Sequence, residues 1–348
     1  MKGLRLPAVP GVELVAAARA FSDSGRWVTN DDIHALRYGP NWRSTMVERG
    51  LDPNHPQKKG FNRRHWTATP QSARTESEEN SADLMLRACN QALSNARMSA
   101  QDIDVFIAVS TTSPRYTSSL GTLVGGRMGF RGPAFEMKSG CSGAIYAMSI
   151  AYQFLASGAR TILIAAAETL SRVVSIESPL LYAAGDGAGA LILQRVEDSG
   201  RGLLGGYLSS DGSFADSMGV PGILPPTREA LDRGMYFMGQ SDSIAGDVEP
   251  FWFEGQQTVM EFAELGFADL DMYIPHQTSG AMLDKLAHSM GHQRHKLFRC
   301  LDRYGNCGSA TLPIAISEAM ESGLKTGSLV LLNAVGGGLA WGSLMLRV

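Results

Sequence analysis

One stretch of this chain is written twice. Residues 102–168 run Asp-Ile-Asp-Val-Phe-Ile, then Leu-Gly-Thr-Leu-Val-Gly-Gly-Arg-Met-Gly, then Ser-Gly-Cys-Ser-Gly-Ala, then a long apolar segment closing on Ser-Gly, and last Thr-Ile-Leu-Ile-Ala. Residues 269–335 repeat the order: Asp-Leu-Asp-Met-Tyr-Ile, Leu-Asp-Lys-Leu-Ala-His-Ser-Met-Gly, Tyr-Gly-Asn-Cys-Gly-Ser, an apolar segment closing on Ser-Gly, and Ser-Leu-Val-Leu-Leu. Cys141 and Asn306 stand 165 positions apart, and so do Gly158 and Gly323. A chain made of two copies of one unit is constrained to fold as two like halves. Halves that face each other bring Cys141 and Asn306 to a common seam, each at the start of a buried helix.

The 348 residues suit two units by the prior of roughly 150 residues each, and the repeat places them at 1–198 and 199–348. Near-continuous apolar runs at Val12–Phe21, Val105–Thr111, Ala134–Met137, Thr161–Ala167 and Ala188–Val196 read as strands. They alternate with helical patterns, as at Glu78–Met98 and Phe251–Leu265. Strands apolar on both faces indicate an α/β fold with each sheet covered on both sides. Thr29-Asn30-Asp31-Asp32 reads as a helix start. Residues 38–59, broken by Pro40, Gly50, Pro53 and Pro56, read as an irregular surface excursion. The Gly/Ser/Pro-rich stretch 199–226 reads as the crossover between halves.

Lys plus Arg total 31 against 34 Asp plus Glu, a net charge of -3, so no global field draws in nucleic acid or an acidic membrane. Any basic docking patch must be local. Four cysteines without Cys-x-x-Cys spacing suggest neither a disulfide framework nor zinc. No run reaches the ~18 apolar residues of a membrane-spanning helix, and Pro7, Pro10 and Glu13 interrupt any signal-peptide core. The expectation is a soluble, cytoplasmic protein.

Cys141, in Ser139-Gly140-Cys141-Ser142-Gly143-Ala144, is either a packed core thiol or a nucleophile. The glycines around it and the helix start, whose free N–H groups favour thiolate, favour the second, whereas Cys89, Cys300 and Cys307 read as core. His276, in Ile274-Pro275-His276-Gln277, sits at the C-terminal tip of a strand, where ligands collect in open sheets. The other histidines, His34, His55, His65, His288, His292 and His295, read as surface residues. His288 and His292 have the spacing of a metal pair, but Gly291 interrupts and no acidic partner follows, so no metal is expected. Asn306 is a turn residue or, given its offset from Cys141, a donor. Two neutral donors, His276 and Asn306, near a thiolate suit an enolate oxygen developing on a thioester. The glycines of Gly336-Gly337-Gly338 permit close backbone approach to a substrate oxygen. Gly185-Asp186-Gly187-Ala188-Gly189 leads into a strand rather than out of one into a helix, so it fails as a phosphate loop and reads as packing.

Taken together and in this order, Gly-Cys-Ser-Gly-Ala, Gly-Asp-Gly-Ala-Gly-Ala, Pro-His-Gln, Gly-Asn-Cys-Gly-Ser-Ala and Gly-Gly-Gly-Leu-Ala-Trp-Gly resemble the β-ketoacyl-ACP synthase III family of the thiolase superfamily, from about residue 12 to the C-terminus. The resemblance implies a thiolase fold of duplicated αβαβα halves with mixed sheets, a homodimer, and a triad on Cys141, His276 and Asn306. It places an oxyanion hole at the main-chain N–H groups of Cys141 and Gly337, and Tyr116 in the acyl pocket of the dimer mate. It implies an acyl-CoA or acyl-ACP donor and malonyl-ACP as acceptor, with no cofactor. The chain departs from the pattern at the donor surface. Ala281 stands where the family has Arg, and roughly Asn54 where a Trp stacks on the CoA adenine. No basic residue lies between Arg172 and Gly185, while Lys58 matches a CoA-contacting position. Lys58, Lys59, Arg63 and Arg64 are expected either to hold a phosphopantetheine carrier or to form a solvated loop. Besides condensation, the departures leave open acyl transfer to an oxygen or nitrogen acceptor, and an inactive partner subunit.

Overall fold

The computed structural model describes residues 3–70, 78–197, 200–240 and 248–348. Two mixed sheets carry the repeat. The first has the order β1 (Val12–Ala20), β5 (Asp186–Arg195), β4 (Thr161–Thr169), β2 (Val105–Val109), β3 (Ala134–Met137). The second runs β6 (Gly202–Ser210), β9 (Ala340–Arg347), β8 (Leu329–Gly336), β7 (Met272–Pro275). In both sheets a parallel pair (β2 with β4, β7 with β8) is followed by antiparallel pairs (β4 with β5 and β5 with β1; β8 with β9 and β9 with β6). The first sheet adds a second parallel pair, β2 with β3, at its edge, so the two copies share one core topology.

The duplication extends to single hydrogen bonds. Asp104 Oδ2 accepts from the N–H of Thr161 at 3.0 Å, and Asp271 Oδ2 accepts from the N–H of Leu329 at 2.7 Å. Each aspartate's own N–H donates back to the carbonyl of the same residue. These pins fix the register of the parallel pair in each half.

Five layers follow from where alternate side chains point, since successive residues of a strand face opposite sides. In β4, Ile162, Ile164 and Ala166 enter the central core, while Leu163, Ala165 and Ala167 enter an outer one. In β8, Val330, Leu332 and Ala334 enter the same central core, and Leu329, Leu331 and Val335 a second outer one. The central layer holds α3 (Gly143–Ala156) and α6 (Thr311–Glu321), with Ala144, Ile145, Met148, Leu312, Ile314 and Ala315 fully buried. α1 (Ser81–Ala96) and α2 (Leu120–Met128) cover the first sheet; α4 (Glu249–Ala263) and α5 (Gly280–Ser289) cover the second. At roughly 1.5–3 kcal/mol for each fully buried large aliphatic side chain, these cores fix which face each element presents.

Local chemistry sets the helix starts. Asn80 and Asp83 form a reciprocal capping box on α1, and Thr29 with Asp32 does the same for the helix Asn30–Tyr38, satisfying N–H groups that the first turn leaves free.

The structure corrects several expectations. The excursion at 38–59 is not irregular throughout, since it contains the short helices Trp42–Glu48 and His55–Lys58. Trp42 and Met46, one turn apart, are buried beneath the first. Leu4–Leu6 and Val9–Pro10 pair with β6, so the start of the chain joins the second sheet; the 198/199 boundary itself lies outside the described residues. His34 and His65 are not surface residues. His34 is buried between Tyr182 Oη at 2.8 Å and the Pro53 carbonyl at 2.9 Å. His65 is buried on the two-stranded antiparallel ribbon Arg26–Thr29/Arg63–Trp66, its ring against Phe21 and Trp27. Gly189 is a packing residue, because a Cβ there would lie 2.6 Å from Pro313 Cβ and 2.7 Å from the Ile314 nitrogen. Among the described residues no helix is long and apolar enough to cross a membrane.

Candidate active site

The seam between the halves is made of backbone. Gly140, at φ +51°, leads into Cys141, and a Cβ on Gly140 would lie 2.6 Å from the Gly337 carbonyl oxygen. A Cβ on Gly336 would lie 2.5 Å from the Cys141 nitrogen. Only glycine on both sides lets the two loops approach this closely. Cys141 is half-buried, just before the Ser142 that precedes α3. Burial first, then the charge of Glu168, pushes its thiol up to about 12. The expected thiolate stabilisation does not prevail. A helix terminus contributes about 0.3–1 kcal/mol, less than one pKa unit at about 1.36 kcal/mol per unit, which is too little to offset burial.

Asn306 enters from the other half through a tight turn. Gly305, at φ +68°, passes so close to the Ala183 carbonyl that a Cβ would come within 2.6 Å of it. The Asn306 N–H donates to that carbonyl at 2.8 Å, and the Gly185 N–H donates to the Asn306 carbonyl at 2.9 Å. Asn306 Oδ1 accepts from the Gly308 N–H at 2.8 Å. That bond fixes the amide's orientation and leaves Nδ2 as the group free to donate. The Gly-Asp-Gly stretch thus supports the Asn306 turn from below. Asp186 is buried and accepts from the N–H and hydroxyl of both Thr67 and Ser171.

His276 ends β7. Its main-chain N–H donates to the Asn333 carbonyl at 2.7 Å. The side chain is fully buried, and neither ring nitrogen has a hydrogen-bond partner. Burial holds its pKa down to about 3, so the imidazole is neutral at physiological pH with both nitrogens uncommitted. The ring lies parallel to that of Trp252, 5° between planes and 6.4 Å between centroids. Asn333 Nδ2 donates to the Trp252 carbonyl at 2.9 Å and to Tyr273 Oη at 3.0 Å, and Tyr273 Oη donates to Gln256 Oε1 at 3.0 Å.

Cys141 and Asn306 line one two-armed cavity together with Gly337. An apolar arm of about 270 Å³ is walled by Leu170, Val174 and Met238 among others. A wider arm of about 530 Å³ runs past Trp252, Thr278, Ser279 and Lys59. The structure therefore brings Cys141, Asn306 and Gly337 together around the cavity; His276 is not among its lining residues and lies with its ring parallel to that of Trp252, which lines the wide arm.

The expected carrier residues separate. Lys58 is exposed and paired with Asp52 at 2.7 Å, and Arg63 is exposed with its guanidinium 4.7 Å from the centroid of the Trp27 ring. Arg64 is not a surface contact at all. It is fully buried and donates to the carbonyls of Val28 and Tyr182 and to Asn30 Oδ1, and burial lowers its pKa to about 10. Strand alternation turns it inward while Arg63 faces out. Lys59 is the basic residue that borders the wide arm. Tyr116 is 74% exposed and lines neither arm of its own chain.

Sequence reading missed Glu168, Asn333 and Trp252. Glu168, at the end of β4, is fully buried and accepts from the N–H and hydroxyl of both Thr111 and Thr112 and from Ser309 Oγ at 2.6 Å. It ties the cavity floor of one half to the turn after Asn306 in the other. A charged residue closing an otherwise apolar strand was the available signal.

A duplicated five-layer chain whose halves meet at a cysteine and an asparagine is a thiolase-fold protein. The chain belongs to the β-ketoacyl-ACP synthase III family. The family description "3-Oxoacyl-[acyl-carrier-protein (ACP)] synthase III" matches residues 135–212, and its C-terminal counterpart matches residues 260–348. β-Ketoacyl-[acyl-carrier-protein] synthase III of Ruegeria pomeroyi is 33% identical over 340 residues, covering 93% of this chain and 99% of that protein. The crystal structure of 3-oxoacyl-[acyl-carrier-protein] synthase III from Aquifex aeolicus superposes with a TM-score of 0.80 at 26% identity, covering 97% of this chain and 100% of that one. OleA from Xanthomonas campestris shares the fold, with a TM-score of 0.81 at 18% identity over 99% and 100% of the two chains.

Proposed function

We propose that this protein is an acyltransferase that condenses an acyl group, held on Cys141, with malonyl-ACP to give a β-ketoacyl thioester. The observation that carries the reading is the placement of Cys141, Asn306 and Gly337 at the point where an apolar arm and a wider, polar-rimmed arm meet. The thiol sulfur attacks the carbonyl of an acyl-CoA or acyl-ACP, its proton passing to the departing thiolate. The oxyanion that forms lies against the main-chain N–H groups of Cys141 and Gly337.

Malonyl-ACP then replaces the spent carrier in the wide arm. Its carboxyl C–C bond breaks, carbon dioxide leaves, and the electron pair moves into a thioester enolate. Neutral His276 and Asn306 Nδ2 donate to the enolate oxygen. The enolate carbon attacks the acyl-Cys141 carbonyl, and collapse of that intermediate expels the Cys141 sulfur. His276 serves as a hydrogen-bond donor that needs no protonation, which its low pKa supports.

Lys59, at the mouth of the wide arm, and exposed Arg63 meet the carrier. The protein acts as a homodimer in the cytoplasm, with Tyr116 of each copy reaching the apolar arm of the other. The 74% exposure of Tyr116 supports this assignment. Intact-protein mass after exposure to a panel of acyl-CoAs and acyl-ACPs tests the covalent step. One acyl adduct that is absent from Cys141→Ala is expected. No adduct with any donor would overturn the reading, and an adduct discharged only by an alcohol or amine would replace condensation with simple transfer.

A further inference from the structure

Resting on the acyl-transfer reading, we propose that the acyl group on Cys141 is an uncharged aliphatic chain, longer than acetyl and no longer than about eight carbons, and that Val174 and Met238 set this ceiling. The apolar arm holds about 270 Å³. At the ~30 Å³ that a water-sized group occupies in a liquid, it accommodates about nine non-hydrogen atoms. Two of these are the carbonyl carbon and oxygen, leaving room for about seven carbons beyond them. Tyr116 of a second copy entering the arm only lowers this limit.

The wall decides the chemistry. Among the described residues no ionisable side chain lines the arm apart from the Cys141 thiol; its surface is made chiefly by Leu170, Val173, Val174, Leu180, Met218 and Met238, with the polar Thr111, Thr112 and Asn306 completing it. A carboxylated or aminated acyl group would be buried there with no opposite charge among those residues, which is costly. Acetyl would leave most of the wall without contacts. Each methylene that fills the arm strengthens binding about fourfold.

The arm has firm backing. Val174 is 1% exposed and packs with Leu170 into a small separate core with Val28, Ile33, Trp66 and Leu181. That core is built by the antiparallel ribbon Arg26–Thr29/Arg63–Trp66 and the helix Asn30–Tyr38. On the other side, Met218–Gly219 pairs with Gly239–Gln240, and the Met238 N–H donates to the Val173 carbonyl at 2.6 Å. Both supports come from segments outside the repeat. The arm therefore has the seam residues Cys141, Asn306 and Gly337 on one side and a wall backed by segments outside the repeat on the other.

The test measures the rate of Cys141 acylation by intact mass with acetyl-, butyryl-, hexanoyl-, octanoyl- and dodecanoyl-CoA and the matching ACP thioesters. Rates should peak between butyryl and octanoyl, at least tenfold above both acetyl and dodecanoyl. Val174→Phe should shift the hexanoyl-to-acetyl ratio at least tenfold towards acetyl. Met238→Ala should raise the dodecanoyl-to-octanoyl ratio; each ratio is internal to one protein sample and does not depend on its active fraction. Acetyl or dodecanoyl matching hexanoyl would overturn the proposal, as would ratios that neither variant moves. Absence of adduct with every donor would overturn the acyl-transfer reading and this proposal with it, whereas a flat chain-length profile overturns this proposal alone.

Discussion

Asn333 holds His276 from two directions. Its carbonyl accepts the His276 main-chain N–H at 2.7 Å, and its side chain donates to the carbonyl of Trp252, whose ring lies parallel to the imidazole. Asn333→Ala keeps the first contact and removes the second. It should slow malonyl-ACP decarboxylation about 10–100-fold while leaving the rate of Cys141 acylation within a factor of three, a split that general destabilisation would not produce. The two half-reactions are measured separately, one by carbon dioxide release and the other by intact mass. Tyr273 Oη, which loses a donor, should cost about 1–3 kcal/mol in a urea melt.

Gly336→Ala addresses the proposed oxyanion site. The new Cβ would lie 2.5 Å from the Cys141 nitrogen and 2.7 Å from that of Ser142, so the two loops must part. Acylation should fall about 10²–10³-fold, the usual effect of losing one oxyanion donor, with an unchanged far-ultraviolet circular dichroism spectrum. A variant that acylates at the wild-type rate would remove Cys141 N–H and Gly337 N–H from the mechanism.

His276 makes stability and activity respond differently to pH. Its folded pKa, about 3, lies below the ordinary value of 6.5. The unfolded chain therefore takes up the proton first, and stability is lost as pH falls from about 6.5 towards 3. Between pH 7 and 4.5, wild type should lose about 2–3 kcal/mol more in urea unfolding than His276→Asn. Decarboxylation by the wild type should carry no step attributable to this imidazole between pH 5 and 8. An activity titration near 6.5 that His276→Asn abolishes would show that the imidazole ionises in that range.

Arg64 and Lys59 should part company. Arg64→Ala leaves the carbonyls of Val28 and Tyr182 and Asn30 Oδ1 without their donor in a buried setting. It should destabilise the fold by about 2–4 kcal/mol with an unaltered KM for the acyl carrier in the fraction that folds. Lys59→Ala, at the mouth of the wide arm, should raise that KM several-fold and leave the melting temperature within 2 °C.

The repeat made the halves, their strands and the meeting of Cys141 with Asn306 legible from sequence, because both copies carry the same apolar order and the same glycines. Asp104 and Asp271 begin the parallel pair identically in each. What was not legible has identifiable causes. Arg64 and His65 lie on a short strand whose partner, Arg26–Thr29, is distant in sequence, so its inward face shows only once Trp27 and Val28 are seen across it. The helices at Trp42–Glu48 and His55–Lys58 are too short to display periodicity. Glu168 and Asn333 are polar residues inside apolar strands, and their partners Ser309 and Trp252 are distant in sequence. The height of the Cys141 pKa depends on burial, which no motif records.

The most direct measurement follows acyl-Cys141 through the second half-reaction. Protein isolated as the hexanoyl adduct is mixed with malonyl-ACP labelled at the free carboxyl, and adduct mass, released carbon dioxide and product are read from the same sample. Condensation predicts loss of the adduct, one labelled carbon dioxide and one β-ketooctanoyl-ACP per site. An adduct that survives malonyl-ACP, or carbon dioxide released while the acyl group stays on Cys141, would contradict it.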